Sequence, residues 1–321
     1  MYDTDFRDLV LINPIGQGAE SLKIVSGYAT HTMASWHIKE ISSKKLSPIN
    51  VTLIVGMCCF DGISKAVHDG FNSLVQRNGT PHRSNFICQY VVKGAPVHSK
   101  LYIWEKGGAP FCAFMGSANY TQSAFSSRRR ELMQECDPSK ALAYFESIEA
   151  NTMYCNHAEI EEYVNMTPTH PILSAEDTPL VSLQGKEVEK VTLSLLTKEG
   201  KVGFGSGINW GHRRNGTKRE PNQMYIPLPV KISRSGFFPL GNEHFSVLTD
   251  DGIHLILSVQ QDNDKAITTP HSNSLLGVYF RHRMGLANGV FVTKQDLENY
   301  GRTDVTFYKL DDEQYVMDFS V

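Results

Sequence analysis

A proline-rich polar stretch, Thr167-Pro168-Thr169-His170-Pro171 followed by Glu176-Asp177-Thr178-Pro179, interrupts the chain near its middle. Proline fixes one backbone angle and lacks a donor, so neither a helix nor a central strand runs through such a segment. With 321 residues the chain also exceeds the usual size of one hydrophobic core. Two domains are therefore expected, residues 1–165 and 187–321, joined by a linker at 166–186.

The two halves have different rhythms. Residues 21–29 and 51–55 read as buried strands, with a helix at 31–41 between them. Ile63, Val67, Phe71 and Leu74 recur at helical spacing in 61–76, and Asn78-Gly79 ends that run. Residues 86–92, 97–104 and 111–115 read as further strands, and Asp137 caps a helix with Pro138 at its first position. This is an α/β sandwich. Past the linker the pattern becomes short strand-like runs at 188–196, 224–232, 244–248, 253–259, 276–281, 305–309 and 315–319, with one short helix at 293–300. The second half is expected to be mostly β, a barrel or sandwich.

Composition narrows the function classes. Six cysteines show no Cys-x-x-Cys spacing, so neither a disulfide framework nor a zinc site is indicated. No run of about eighteen apolar residues occurs, and Met1-Tyr2-Asp3-Thr4-Asp5 lacks the form of a signal peptide. A soluble cytoplasmic protein without a membrane partner is expected. The formal net charge of -3 argues against a molecule wholly dominated by nucleic acid, but leaves local patches open. Three are present: Arg128-Arg129-Arg130, His212-Arg213-Arg214 with Lys218-Arg219, and Arg281-His282-Arg283.

The chemistry concentrates in Val97-His98-Ser99-Lys100-Leu101-Tyr102-Ile103-Trp104 and in Met115-Gly116-Ser117-Ala118-Asn119. Alternate residues of a strand-like run project from one face, so His98 and Lys100 aim a nucleophile and a cation at one spot. The second segment adds a Gly-Ser turn and an amide, small donors suited to phosphate oxygens. Together they describe a site for attacking a phosphodiester without a metal.

These residues resemble the phospholipase D superfamily, whose signature is HxK followed by GSxN or GSxxN; His98, Lys100, Gly116, Ser117 and Asn119 match it position for position. Longer versions carry an aspartate shortly after the lysine, where Glu105 stands, and nucleases of the superfamily carry a glutamate downstream, for which Glu131 is the candidate and Glu135 the alternative. In the second half, Gly207-Ile208-Asn209-Trp210-Gly211, Phe237-Phe238-Pro239, Leu276-Gly277-Val278-Tyr279-Phe280-Arg281 and Tyr300-Gly301-Arg302-Thr303 resemble the C-terminal part of the NgoFVII-type restriction endonucleases. The resemblance implies an α/β phospholipase D-like sandwich followed by a mostly β pseudobarrel of the plant B-three type.

It also implies a mechanism. His98 attacks phosphorus to give a phosphohistidine, Lys100 and Asn119 hold the non-bridging oxygens, Glu131 fixes the histidine tautomer, and Ser117 supports the phosphate or the backbone. No metal and no cofactor are required. One histidine cannot be both the linked nucleophile and the acid for the leaving oxygen, so a homodimer through the nuclease domain is expected. An internal second copy is not found. His37-Ile38-Lys39 fits HxK within a helix, and Gly205-Ser206-Gly207-Ile208-Asn209 fits GSxxN, but neither has its companion motif at a matching distance.

By the same resemblance, residues 203–219 and 260–274 are two arms that grip the major groove of double-stranded DNA. Asn209, Arg213, Arg214, Gln260, Gln261 and Asn263 suit base edges, and Lys201, Lys218, Arg219 and Lys265 suit phosphates. The leading reading is a sequence-specific, metal-independent restriction endonuclease. The rivals are a phospholipase D-type lipid phosphodiesterase and a non-catalytic DNA-binding protein. No Walker-type phosphate loop is present, so the chain is not expected to move itself along DNA by ATP hydrolysis. By the resemblance, a separate ATPase or helicase subunit and a companion methyltransferase are candidate partners, since some relatives act with them.

Overall fold

The computed structural model describes all residues except Asp5, Pro81, His82, Ser127, Arg128, Thr169, Ala175, Glu176 and residues 213–218. The described chain forms two compact units, Met1–Thr169 and His170–Val321.

The first unit contains β1 (Ser21–Ser26), β2 (Asn50–Val55), β3 (Ile63–Ser64), β4 (Asn85–Val91), β5 (Leu101–Lys106), β6 (Ala109–Gly116), β7 (Met133–Cys136), β8 (Thr152–Tyr154) and β9 (Met166–Thr167). Seven of them make one sheet in the order β7-β6-β5-β1-β2-β4-β8, and β3 pairs with β9 separately. The centre, β1-β2-β4, is parallel, and β5, β6, β7 and β8 join antiparallel. Parallel strands need crossovers, supplied by the helices His31–Ser43 and Lys65–Val75. The helix Pro138–Glu149 covers the opposite face, capped by Asp137, whose carboxylate accepts from the N–H groups of Ser139 and Lys140 at 2.9 and 3.1 Å.

Both faces are apolar because both are covered. Along β5, Tyr102 and Trp104 enter the larger core with Leu22, Ile24, Leu53 and Phe114, while Leu101 and Ile103 pack beneath Phe145 and Ile148. The regular strand starts at Leu101, later than the residue 97 expected, so His98 and Lys100 lie on the extended run leading into it.

The second unit contains β10 (Lys190–Ser194), β11 (Ile226–Pro227), β12 (His244–Thr249), β13 (His254–Gln260), β14 (Ala266–Thr268), β15 (Asp304–Lys309) and β16 (Gln314–Asp318). They form one sheet in the order β10-β15-β16-β12-β13-β14-β11, all antiparallel except β12 with β16. The edge strands β10 and β11 lie in contact, so the sheet curls into a nearly closed barrel around Phe237, Phe238, Phe245, Phe307 and Tyr315.

Two expected strands are corrected. Residues 276–281 lie in the helix Leu275–Arg283, and residues 224–232 divide into the short β11 and the helix Val230–Ser233. Leu276, Gly277, Tyr279, Phe280 and Arg281 are all buried, so the segment shows no helical polarity that a periodicity reading could use, and its aromatic and β-branched residues mimic a strand. The expected helix at 293–300 is present as Lys294–Tyr300, closed by a capping box between Thr293 and Asp296. Part of the proline-rich stretch is structured: Leu173 and Leu183, the latter ending the helix Pro179–Leu183, are buried with Leu248 and Val316. Among the described residues, no helix is long and apolar enough to cross a membrane.

Candidate functional site

Register brings four separated segments to one end of the first sheet. The end of β1 faces the start of β5 (Val25 opposite Leu101), the start of β5 faces the end of β6 (Leu101 opposite Met115), and the end of β6 faces the start of β7 (Gly116 opposite Met133). The turn Gly27-Tyr28, the run Val97–Lys100, the loop Ser117–Asn119 and Glu131 therefore converge.

Close approach of these backbones is paid for with glycine. A Cβ at Gly27 would stand 2.9 Å from His98 Cδ2 and 3.5 Å from Lys100 Nζ. One at Gly56 would stand 1.9 Å from the Val97 carbonyl oxygen, and one at Gly116 1.9 Å from that of Leu132. Val97 N–H donates to Gly56 O at 3.1 Å, which pins the run carrying the histidine.

Lys100 is only 8% exposed, whereas His98 is open to solvent. The lysine Nζ lies 3.1 Å from each ring nitrogen of His98 and also donates to the His98 carbonyl. Burial pushes the Lys100 pKa down, and the nearby Glu131 carboxylate opposes that shift. The Tyr28 ring meets the imidazole edge to face, with centroids 5.8 Å apart.

Asn119 is oriented by its oxygen. Oδ1 accepts from Tyr28 N–H at 3.1 Å and lies 3.3 Å from Ser26 Oγ, which also donates to the Tyr28 carbonyl and accepts from Tyr120 N–H. With the oxygen so engaged, the amide nitrogen is the group left to donate. Tyr102 fixes the same loop by donating to Ala118 O at 2.9 Å.

Ser117 donates to the Glu131 carboxylate and accepts from Leu132 N–H at 3.0 Å, knotting the loop after β6 to the start of β7. Among the described contacts Glu131 is joined to Ser117 and not to His98. Glu135 accepts from Tyr2 at 2.7 Å, and Glu105 pairs with Lys23 at 2.6 Å on the face that carries Phe145. Among the described residues no group of three or more His, Cys, Asp or Glu is assembled that could hold a metal ion.

Sequence reasoning singled out His98, Lys100, Ser117, Asn119 and Glu131, and the fold gathers all five. It overlooked Ser26, Gly27, Tyr28 and Gly56. The available signal was a glycine immediately after each of two adjacent parallel strands. The second HxK is structural: His37 is buried in its helix, with Nε2 2.9 Å from Leu11 O and Nδ1 2.9 Å from Tyr120 Oη, and burial lowers its pKa to about 4.

In the second unit the expected DNA contacts divide. Arg213, Arg214 and Lys218 lie outside the described residues. Asn209 is corrected from base reader to core residue: it is fully buried, and its amide accepts from Val292 N–H at 2.9 Å and donates to Val292 O at 2.7 Å. Arg219 stacks its guanidinium 4.5 Å from the Trp210 ring centroid. Gln260 ends β13 and bonds Ser258 at 2.9 Å, while Gln261, Asn263 and Lys265 are exposed in the turn before β14, where Gln261 and Asn263 take left-handed φ of 68° and 62°. Lys201 is exposed.

The basic cluster at 281–283 is likewise corrected. Arg281 is buried and donates to the carbonyls of Val290, Gly277, Ile208 and Pro221, and Arg283 pairs with Asp250 at 2.7 Å and Asp251 at 3.1 Å. Arg129 and Arg130 are exposed beside Glu131, and Arg128 lies outside the described residues.

Residues 4–162 match a family model described as the NgoFVII restriction endonuclease N-terminal PLD domain, and residues 183–311 match one described as the NgoFVII C-terminal B3-like DNA-binding domain. Among solved structures, NucT from Helicobacter pylori is 18% identical with a TM-score of 0.32, covering 48% of this chain and 96% of that one. A phospholipase D family member, Nuc from Salmonella typhimurium, is 15% identical with a TM-score of 0.33, covering 46% and 89%. Polyphosphate kinase from Porphyromonas gingivalis is 14% identical with a TM-score of 0.31, covering 48% and 24%. No curated protein sequence matches the chain.

Proposed function

The chain belongs to the NgoFVII restriction endonuclease family, and from that premise we propose that it is a sequence-specific DNA endonuclease that cleaves phosphodiesters through a covalent phosphohistidine, without a metal. The observation that carries the reading is the convergence of His98, Lys100 and Asn119, a nucleophile and two donors, at one sheet end.

A ring nitrogen of His98 attacks the scissile phosphorus. The bond to the leaving sugar oxygen breaks, and that oxygen takes a proton from a second histidine. Lys100 Nζ and Asn119 Nδ2 offset the charge that grows on the non-bridging oxygens. Water, giving a proton to the second histidine, then attacks phosphorus, releases the 5′- or 3′-phosphate end and restores His98. Glu131 acts here on Lys100, whose ammonium form its charge favours, and through Ser117 on the shape of the loop.

The second histidine is His98 of another copy of the chain, which makes the enzyme a homodimer through its nuclease unit. Double-stranded DNA is the substrate, read by the B3-like unit through the turn carrying Gln261, Asn263 and Lys265 and through Arg213, Arg214, Lys218 and Arg219. The test is plasmid cleavage in excess EDTA with mapping of the ends, beside the His98→Ala variant. Discrete ends from the wild type, and DNA binding without cleavage from the variant, are the expected result. Cleavage that stops on chelation and returns with magnesium, or turnover by His98→Ala, would overturn the reading.

A further inference from the structure

We propose that Tyr28 is a positioning residue of the nuclease site, its ring setting the imidazole of His98 and its main chain setting the amide of Asn119; this rests on the function proposed above. The ring stands edge to face with His98 at 5.8 Å between centroids, with an interplanar angle of 79°. The backbone N–H donates to Asn119 Oδ1 at 3.1 Å, and the carbonyl accepts from Ser26 Oγ.

The side chain is itself held. Tyr28 Oη donates to Asp61 Oδ2 at 2.5 Å, and Asp61 closes the short helix Cys58–Asp61 that follows β2. The ring is 43% exposed, so without that tie it has room to turn away. Gly27, immediately before it, lets the backbone approach His98 closely. The imidazole thus meets a backbone with no Cβ and an aromatic ring anchored through its hydroxyl. Because that hydroxyl is already spent on a carboxylate, Tyr28 acts through His98 and not as a proton donor to the substrate.

Tyr28→Ala, Tyr28→Phe and Asp61→Asn separate the parts of this arrangement. In single-turnover cleavage at saturating enzyme, Tyr28→Ala loses roughly 10- to 100-fold in rate, the penalty of a mispositioned reacting group. Tyr28→Phe, which keeps the ring but loses the tie to Asp61, falls between Tyr28→Ala and the wild type, and Asp61→Asn, which weakens the same tie, resembles it. The Kd for the DNA and the thermal midpoint stay at the wild-type values. In the DNA-free protein, the ring C–H resonances of His98 shift and broaden in Tyr28→Ala and return towards their positions in Tyr28→Phe.

A wild-type rate with unmoved His98 resonances in Tyr28→Ala would overturn the proposal, as would a rate loss that only tracks unfolded protein. If the wild type cuts no DNA while the resonances still move, the nuclease reading fails and the placement of His98 by Tyr28 stands.

Discussion

Substituting Gly27 by alanine tests whether the position of His98, and not merely its presence, sets the rate. The added methyl would stand 2.9 Å from His98 Cδ2 and 3.3 Å from His98 Cα, where ordinary contacts begin at 3.4 Å. Gly27 does not require a left-handed backbone, so the methyl is the whole perturbation. The imidazole can turn aside by roughly half an ångström, and displacements on the ångström scale cost up to about 100-fold in rate. The contact with Cα adds a modest overpacking cost of about 1 kcal/mol, at the low end of such effects. Gly56→Ala is the contrast: its methyl would meet the Val97 carbonyl at 1.9 Å, a backbone atom that cannot swing away. There about 3 kcal/mol or more of stability is lost, the upper range for overpacking. Single-turnover plasmid cleavage and thermal unfolding, measured on both variants, read the two quantities apart. Wild-type cleavage by Gly27→Ala, or a loss no larger than its unfolded fraction, would refute the reasoning.

Three other outcomes are expected. Asn119→Asp keeps an acceptor for Tyr28 N–H but replaces the phosphate donor by a negative oxygen, and lowers the cleavage rate by roughly 100- to 1,000-fold, as loss of an oxyanion donor does; retention of the rate would remove Asn119 from the site. His37 stays neutral in the fold to about pH 4 while the unfolded chain takes up a proton at its ordinary 6.5, so the unfolded state binds more protons and stability falls as pH drops from 6.5 to about 4. The cost is at most about 3 kcal/mol, and urea unfolding of His37→Gln shows a flatter pH slope; an unchanged slope would assign the titration elsewhere. Asn209→Ala strands the N–H and carbonyl of Val292 and lowers the unfolding free energy of the second unit by about 2–3 kcal/mol in urea melts. An unaltered midpoint with lost DNA selectivity would return Asn209 to the role of base reader.

The nuclease half was largely legible because its signals are local. Alternation around His98 and Lys100, and the cap at Asp137 before Pro138, are written in neighbouring residues, and the fold honours both. Tyr28 was not legible, since its value comes from β1 lying beside β5, which brings it against a histidine 70 positions further along, and no window along the chain contains both. The second half misled for the opposite reason. Asn209 and the arginines at 281 and 283 look like surface chemistry, yet tertiary packing turns them inward to satisfy carbonyls and carboxylates. A polar residue announces that it needs partners, but not whether those partners are the protein or its ligand.

The parallel pairing of β16 with β12 has a consequence for biosynthesis. β16 occupies a slot between β15 and β12, yet residues 314–318 follow every other strand of that sheet in sequence. On the ribosome the barrel stays divided until that strand emerges, long after residues 26–131 are free to bring the candidate site together. A growing chain can therefore fold its first unit before the second is complete, and on the mechanism proposed above a solitary polypeptide at that stage holds one His98 and lacks the second histidine.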